Sequence, residues 1–185
     1  MQIRCALVGM PGSGKTTVGR QLAHRLGLPF VDLDHRIEQT LGTSIRQYFE
    51  TEGEERFRDQ EAQILAQVAA QPGGMVLSTG GGAVLRSENR QALRHFGSVL
   101  YLRASPEDIY RRVRHDRTRP LLQVGNPLER LRELYAQRDG LYRETAHYVI
   151  ETGRPTVSTL VNMVMMQLEM AASAQGSGAH PPADS

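Results

Sequence analysis

Two hydrophobic periodicities alternate along the chain. Short, nearly continuous apolar runs are typical of buried strands, and here they cover 3–8, 30–34, 75–78, 98–102 and 148–150. Between them, apolar residues recur every three or four positions, which predicts amphipathic helices over 18–26, 35–51, 54–70, 87–96, 106–114, 128–145 and 157–170. This alternation predicts a three-layer α/β/α sandwich in which right-handed crossovers cover both faces of a five-stranded parallel sheet.

Local signals refine several of these segments. The 35–51 segment is interrupted at Gly42 and restarts at a cap formed by Thr43 or Ser44. In the 54–70 helix, we expect the core-facing side chains to be Phe57, Ile64, Leu65 and Val68. Four methionines of the last helix are expected to fill the core, namely Met163, Met165, Met166 and Met170.

Two segments lack a regular pattern. Residues 115–127 are rich in arginine and broken by prolines, and a long loop of this kind in a compact domain is usually a lid or a binding loop. Residues 171–185 are small, polar and proline-containing, so we expect a disordered tail. Residues 1–170, which include the 115–127 loop, are expected to form a single domain.

The overall composition excludes several classes of protein. A net charge of +2 gives no basic field for nucleic acid, and no apolar run is long enough to span a membrane. The N-terminus lacks a signal-peptide core. The single cysteine, Cys5, lies in the first apolar run and is expected to be buried. We therefore expect a cytoplasmic, monomeric enzyme with no nucleic-acid or membrane partner.

A phosphate-binding motif lies between the first strand and the first helix. Gly9, Gly14, Lys15 and Thr16 fit the pattern G-x-x-x-x-G-K-[ST], whose backbone N–H groups surround a polyphosphate. A glycine-rich turn that matches by chance is the alternative, but the strand before the motif and the helix after it are the context that the motif requires. The pattern therefore predicts nucleotide binding, with contacts from Gly12, Ser13, Gly14, Lys15, Thr16 and Thr17.

Lysine and histidine usage narrows the chemistry further. Of 22 basic residues, all but one are arginine, and the exception is Lys15 in the phosphate motif. No second lysine can act as a base, and no N-K-x-D guanine-reading motif exists. The six histidines show no metal-ligand spacing, so no structural zinc site is predicted.

Further candidate residues follow the second and third strands. Asp32 and Asp34 end the second strand, and the 80–82 triple glycine follows the third, so both are expected at the carboxyl edge of the sheet, where ligands bind. Arg58 lies early in the 54–70 helix, where most arginines are simply solvated. Its combination with Asp34 and the glycines favours a functional role.

Taken together, these segments resemble the shikimate kinase family, which is related to the nucleoside monophosphate kinases and has their P-loop NTPase fold. The resemblance covers residues 3 to about 168. It is carried by GMPGSGKTTVG at 9–19, DLD at 32–34, FR at 57–58, STGGGAV at 78–84, RTRPLL at 117–122 and LYAQRDGLY at 134–142. The first motif occurs in many NTPases, whereas the ordered set is specific.

The resemblance implies transfer of the ATP γ-phosphoryl group to the 3-hydroxyl of shikimate, a small polyhydroxylated carboxylic acid. It assigns the shikimate carboxylate to Arg58 and Arg138, whose guanidinium groups can bind it in a bidentate way. Asp34 is implied to bind the ring hydroxyls and to accept the proton of the attacking one. Gly81 is implied to offer its N–H near the acceptor. Further residues are implied to wall the shikimate site: Ile45, Phe49 and Phe57.

On the nucleotide side, the resemblance implies one Mg²⁺ ion held by Thr16 and, through water, by Asp32. Arg119 is implied to reach the phosphates when a lid over about 115–127 closes. Arg112 and Arg154 are implied to flank the adenine. The acceptor-binding insertion is implied at about 34–60.

Two alternatives remain open at this point. One is a P-loop kinase of another small hydroxylated acid such as gluconate, or of a nucleoside monophosphate. The other is a nucleotide-dependent switch or binding protein without transfer activity. The order D-L-D, F-R, G-G-G, R-P-L-L argues against the first alternative, and the missing N-K-x-D and the arginine-rich acceptor side argue against the second.

Overall fold

The computed structural model describes residues 2–115 and 125–176. Its strands are β1 (Arg4–Val8), β2 (Phe30–Asp32), β3 (Met75–Ser78), β4 (Ser98–Arg103) and β5 (Tyr148–Glu151). The helices of the described part are α1 (Lys15–Leu26), α2 (Leu33–Leu41), α3 (Ile45–Glu52), α4 (Glu54–Ala70), α5 (Ser87–Phe96), α6 (Pro106–Val113), α7 (Pro127–Thr145) and α8 (Val157–Gly176). A short 3₁₀ turn, Ala83–Leu85, precedes α5.

The strands form one parallel sheet in the order β2-β3-β1-β4-β5. β1 is central, and its Cys5 is in register with Val76 of β3 on one side and Ser98 of β4 on the other. Because every strand points the same way, the carboxyl ends of β1, β2 and β3 meet at one edge of the sheet. The predicted fold class, a three-layer α/β/α sandwich with a five-stranded parallel sheet, is confirmed.

Alternate residues of the central strands face two separate hydrophobic cores. In β1, Ala6 and Val8 belong to the core beneath α4, α5 and α7, whereas Cys5 and Leu7 belong to the core beneath α1 and α8. Cys5 is buried, as predicted. The sheet is therefore covered on both faces, which explains why its strands are apolar runs without alternation.

The second strand is shorter than the sequence pattern predicts. β2 ends at Asp32 and α2 starts at Leu33, so Asp34 lies in the first turn of a helix and not at the end of a strand. The cause is a cap: the Asp32 carboxylate accepts hydrogen bonds from the N–H groups of Asp34 (3.1 Å) and His35 (3.4 Å). The cap fixes the two aspartates relative to each other.

The last helix corrects two predictions. α8 continues to Gly176, so 171–176, expected to be disordered, are helical. Its buried residues are Leu160, Val161, Val164 and Leu168, and this single stripe faces the core. The prediction that the methionines fill the core is wrong for Met163, Met166 and Met170, which lie off the stripe and are exposed. Met165 packs partly buried against the core.

Part of the predicted lid, 116–124, and the end of the tail, 177–185, lie outside the described residues. Arg119 falls in the first of these segments, so its predicted role is not tested by the structure. Within the described part of the chain, the helices are either too short or too polar to cross a bilayer.

Candidate active site

The phosphate motif forms the loop between β1 and α1, as predicted. Gly12 (φ 82°) and Gly14 (φ 95°) adopt left-handed backbone conformations that side chains with a Cβ rarely tolerate. A Cβ on Gly9 would lie 2.7 Å from the Leu102 carbonyl oxygen of β4. Gly9 also has a positive φ of 153°, so the loop needs glycine for backbone conformation at three positions and, at Gly9, for close packing against the sheet as well.

Lys15 begins α1 and is buried beneath this loop. Its Nζ donates hydrogen bonds to the carbonyl oxygens of Gly9 (2.9 Å) and Met10 (2.8 Å) and to Ser13 Oγ (3.5 Å). The ammonium is thus held in the concave side of the loop, where a bound polyphosphate would lie.

A cavity of about 220 Å³ extends from the phosphate loop toward the end of β2. Its lining residues are Pro11, Gly12, Gly14, Lys15, Thr16, Thr17, Asp32, Asp34, Thr79, Gly80 and Gly81. The Thr16 hydroxyl lies 3.4 Å from Asp32 Oδ2, which places a hydroxyl and a carboxylate together beside the loop. This oxygen pair suits Mg²⁺, which takes few protein ligands and completes its shell with phosphate and water.

A second, larger cavity of about 800 Å³ adjoins the first. The two cavities share Pro11, Asp34, Gly80 and Gly81. The second is also lined by residues of α2, α3, α4 and α7, including the predicted Ile45, Phe49, Phe57, Arg58 and Arg138. The structure thus brings the predicted acceptor residues together around one space, and Asp34 lies where that space meets the phosphate cavity.

Arg58 and Arg138 reach this cavity from α4 and α7. The Arg58 side chain is only 13% exposed and donates from Nη1 to Glu61 (2.9 Å) and from Nη2 to Glu54 (3.4 Å). The Nε atoms of both arginines are buried and have no hydrogen-bond partner. Both arginines line the cavity, and two positive charges beside one space suit an anionic ligand.

Glu61 is a site residue that the sequence interpretation missed. Its side chain is 1% exposed and lies one turn after Arg58 in α4. Burial raises the pKa of Glu61, while the charge and hydrogen bond of Arg58 and the charge of Arg138 oppose that rise. The sequence does indicate this burial, because Glu61 falls on the same helical face as the core residues Phe57, Leu65 and Val68. A buried carboxylate on that face needs a charged or hydrogen-bonding partner.

Asp34 has a strongly perturbed environment. The pKa of Asp34 is raised to about 6: burial is the largest cause, the negative charges of Asp32 and Glu61 add to it, and the charge of Lys15 opposes it. A carboxylate whose pKa lies near neutrality, at the junction of two cavities, is suited to accept a proton from a substrate hydroxyl.

The triple glycine touches three different parts of the site. A Cβ on Gly80 would lie 2.5 Å from Asp34 Oδ1, one on Gly81 would lie 2.6 Å from Pro11 Cδ in the phosphate loop, and one on Gly82 would overlap the Arg58 guanidinium. Positive φ angles are not the reason for these glycines, since none of the three has one. They are required because the backbone approaches Asp34, Pro11 and Arg58 closely.

The apolar wall of the larger cavity comes from α3 and α4. The Phe49 and Phe57 rings lie 4.6 Å apart, and the Arg58 guanidinium lies 5.2 Å from the Phe57 ring centre. These rings hold the guanidinium beside the cavity and limit its access to water.

The two arginines predicted to flank the adenine, Arg112 and Arg154, lie in different surroundings. Arg112 of α6 donates to the Ser13 carbonyl oxygen (3.4 Å) and to that of Thr152, which places it at the outer end of the phosphate loop. Arg154 is exposed in the segment after β5. Their contact with adenine stays a prediction.

Comparisons with known proteins agree with this geometry. The sequence model of the shikimate kinase family matches residues 11–169. A shikimate kinase of Ralstonia nicotianae is 60% identical over 164 residues, covering 89% of this chain and 86% of that protein. One of Paracidovorax citrulli is 55% identical over 183 residues, covering 98% and 97%.

A solved structure of an Acinetobacter baumannii shikimate kinase, in complex with shikimate, superposes with a TM-score of 0.87. It is 43% identical, and the match covers 92% of this chain and 95% of that one. A family match over most of the chain, relatives above 50% identity and a site with separate phosphate and acceptor cavities lead to one conclusion. This chain belongs to the shikimate kinase family.

Proposed function

We propose that this protein transfers the γ-phosphoryl group of ATP to the 3-hydroxyl of shikimate, giving shikimate 3-phosphate and ADP. The observation that carries this proposal is the pair of arginines, Arg58 and Arg138, that line a cavity which meets the phosphate-loop cavity at Asp34. The arginines provide an anchor for the carboxylate at one end of this space, and the phosphate loop holds the phosphoryl donor at the other. Asp34 lies between them as the proton acceptor.

In the proposed reaction, the arginines hold the carboxylate of shikimate and Asp34 accepts a hydrogen bond from the ring hydroxyl. The hydroxyl oxygen forms the new bond to the γ-phosphorus as the bond to the ADP oxygen breaks, and the hydroxyl proton passes to Asp34. Lys15 balances the charge that moves onto the β- and γ-phosphate oxygens. The N–H of Gly81 lies in the loop shared by the two cavities and would support the same group.

Thr16 and Asp32 would hold one Mg²⁺ ion, Asp32 through a water molecule. The ion, when bound, shields the phosphate charges and orients the γ-phosphoryl group. We also propose that Arg119 closes over the phosphates and that Arg112 and Arg154 flank the adenine. The effect of single substitutions on the KM for ATP and on kcat tests these assignments.

A coupled assay of ADP release tests the proposed function. Purified protein with MgATP is offered shikimate, gluconate and the nucleoside monophosphates in turn. We expect turnover with shikimate at a kcat/KM at least about 100-fold above the others, because only shikimate offers both the carboxylate and the correctly spaced hydroxyl. Preferred turnover of another acceptor would refute the substrate, and no transfer to any acceptor would favour a switch or binding protein.

The pH dependence of the reaction should report Asp34. Because its pKa is raised to about 6, the fraction of ionised base falls as the pH drops through 6, and kcat/KM for shikimate is expected to fall about tenfold per pH unit below that value. The measurement is a pH profile from 4.5 to 8 with saturating MgATP. A profile that stays flat down to pH 4.5 would contradict the assignment of Asp34 as the base.

Replacing Gly81 with Ala should impair transfer with little unfolding. The new methyl group would lie 2.6 Å from Pro11, so the triple-glycine loop or the phosphate loop must move, and a displacement of this size at the reacting groups is expected to lower kcat about 100-fold. Steady-state kinetics and thermal unfolding check this. Gly140→Ala is the matched control: nothing lies within 4 Å of its Cβ position in α7, so stability should rise by about 0.5–1 kcal/mol at unchanged kcat. Equal kinetics in both variants would contradict the role given to Gly81.

A further inference from the structure

Tyr142 is a buried polar residue that the proposed reaction does not use. It lies in α7, one turn after Arg138, and its side chain is fully buried. Its hydroxyl donates a hydrogen bond of 2.6 Å to the carbonyl oxygen of Gly81. The bond joins α7, which carries one carboxylate anchor, to the loop that follows β3.

The peptide that Tyr142 holds is the one that packs on the other arginine. Gly81 O belongs to the peptide between Gly81 and Gly82, and a Cβ on Gly82 would overlap the Arg58 guanidinium. On its other side, Gly81 packs against Pro11 of the phosphate loop. One hydroxyl therefore fixes a short segment that is in contact with both the carboxylate anchor and the phosphate loop.

The phenol is also held in the form that donates. Burial raises the pKa of Tyr142 to about 12, although the charge and a hydrogen bond of Arg138 act in the opposite direction. Its ring packs on Tyr101 of β4, with 4.9 Å between ring centres. The Tyr142 ring is thus fixed by packing against the sheet, while its hydroxyl reaches the triple-glycine loop.

We propose that Tyr142 is a positioning residue for phosphoryl transfer. By holding the Gly81 carbonyl, it sets the distance between the triple-glycine loop and the two arginines, so that the acceptor hydroxyl and the γ-phosphoryl group are aligned when both substrates are bound. This inference rests on the proposed function. It adds a residue that touches neither substrate and acts through the loop.

Tyr142→Phe is the direct test, because it keeps the buried ring and removes only the hydroxyl, which donates to Gly81 and accepts a hydrogen bond from Arg138. The matched control is Tyr101→Phe, which removes the neighbouring tyrosine hydroxyl; that hydroxyl donates to Asp139 (2.8 Å) and makes no bond to the loop. Both variants and the wild type are assayed with shikimate and MgATP, each at a temperature well below its own Tm.

We expect Tyr142→Phe to lower kcat about tenfold, with less than about a threefold change in the KM values, because alignment in the transition state is lost while the binding groups remain. Tyr101→Phe should keep kcat within about twofold of the wild type. Hydrogen exchange of the backbone over 79–85 should become faster in Tyr142→Phe only, since the loop loses its tether.

The outcomes separate two failures. A wild type without shikimate-dependent ADP release would reject the proposed function itself. An active wild type in which Tyr142→Phe matches Tyr101→Phe in kcat, or shows unchanged exchange over 79–85, overturns the positioning role of Tyr142 and leaves the proposed function intact.

Discussion

Replacing Asp34 with Asn is expected to lower kcat by about 10²- to 10⁴-fold and, at the same time, to stabilise the folded protein at neutral pH. The loss of activity follows because an amide cannot take the proton of the attacking hydroxyl. The KM for MgATP should change little, since the phosphate loop is untouched. Steady-state kinetics with each substrate varied in turn measures both effects.

The gain in stability follows from the pKa of Asp34. Its pKa rises from 3.8, the ordinary aspartate value, to about 6 in the folded protein. Between these values the folded state binds more protons than the unfolded state, so stability is lost as the pH rises from about 4 through 6. Asn carries no charge to bury, and the Asp34→Asn protein should therefore gain about 3 kcal/mol of unfolding free energy at pH 7 and nothing below pH 4.

Asp139→Asn is the matched control for this gain. Burial would raise the pKa of Asp139, but hydrogen bonds from Tyr101 and Arg143 and the charges of Arg143 and Arg103 outweigh it, so the pKa is lowered. Its neutralisation should destabilise the protein at pH 7, the opposite sign. Urea unfolding at pH 4, 5.5 and 7 compares the two variants. A destabilised Asp34→Asn protein, or one that retains the kcat of the wild type, would contradict the role of Asp34.

Removing the Arg58 side chain is the second change with a large expected effect. Arg58→Ala should lower kcat/KM for shikimate by about 10²- to 10³-fold, mainly through the KM, because a charge-assisted contact to the carboxylate is lost. The KM for MgATP should stay near that of the wild type. Arg138→Ala should show the same pattern of kinetic change.

The same substitution should also destabilise the fold, through Glu61. Arg58 is the direct partner of the buried Glu61 carboxylate, and breaking a buried pair on one side costs about 3–5 kcal/mol. Arg58→Ala/Glu61→Gln removes the unpaired charge, so we expect it to recover most of that stability and none of the affinity for shikimate. This double variant separates loss of binding from loss of folding.

Arg86→Ala provides the control for a merely structural arginine. Arg86 also pairs with an α4 carboxylate, Asp59, but Asp59 is exposed and Arg86, itself half-buried, does not line either cavity. Its removal should change stability by no more than about 1 kcal/mol and leave the shikimate KM unchanged. If the double variant bound shikimate normally, Arg58 would not be the carboxylate anchor.

The phosphate loop and the order of strands and helices could be predicted from the sequence because their determinants are local. Glycines, lysine and a hydroxyl within one short segment specify the loop, and the two hydrophobic periodicities specify the elements that alternate along the chain. Even the end of β2, which was predicted two residues too late, depends on a short-range cap at Asp32. The sequence resemblance also assigned Arg58 and Arg138 to one ligand although they lie far apart in the chain.

Only the tertiary structure decided which distant groups share a space. The pairing of Glu61 with Arg58 beside Arg138 depends on how α4 and α7 pack over the sheet, and no spacing within α4 reveals Arg138. The bond from Tyr142 to Gly81 joins residues from two elements, as does the close approach of Gly81 to Pro11. The periodicity of α8 was too uniformly apolar to show which methionines face solvent. Sequence patterns report neighbours along the chain, whereas the pKa of Asp34 and the shape of the acceptor cavity arise from contacts that exist only after the sheet and its helices have packed.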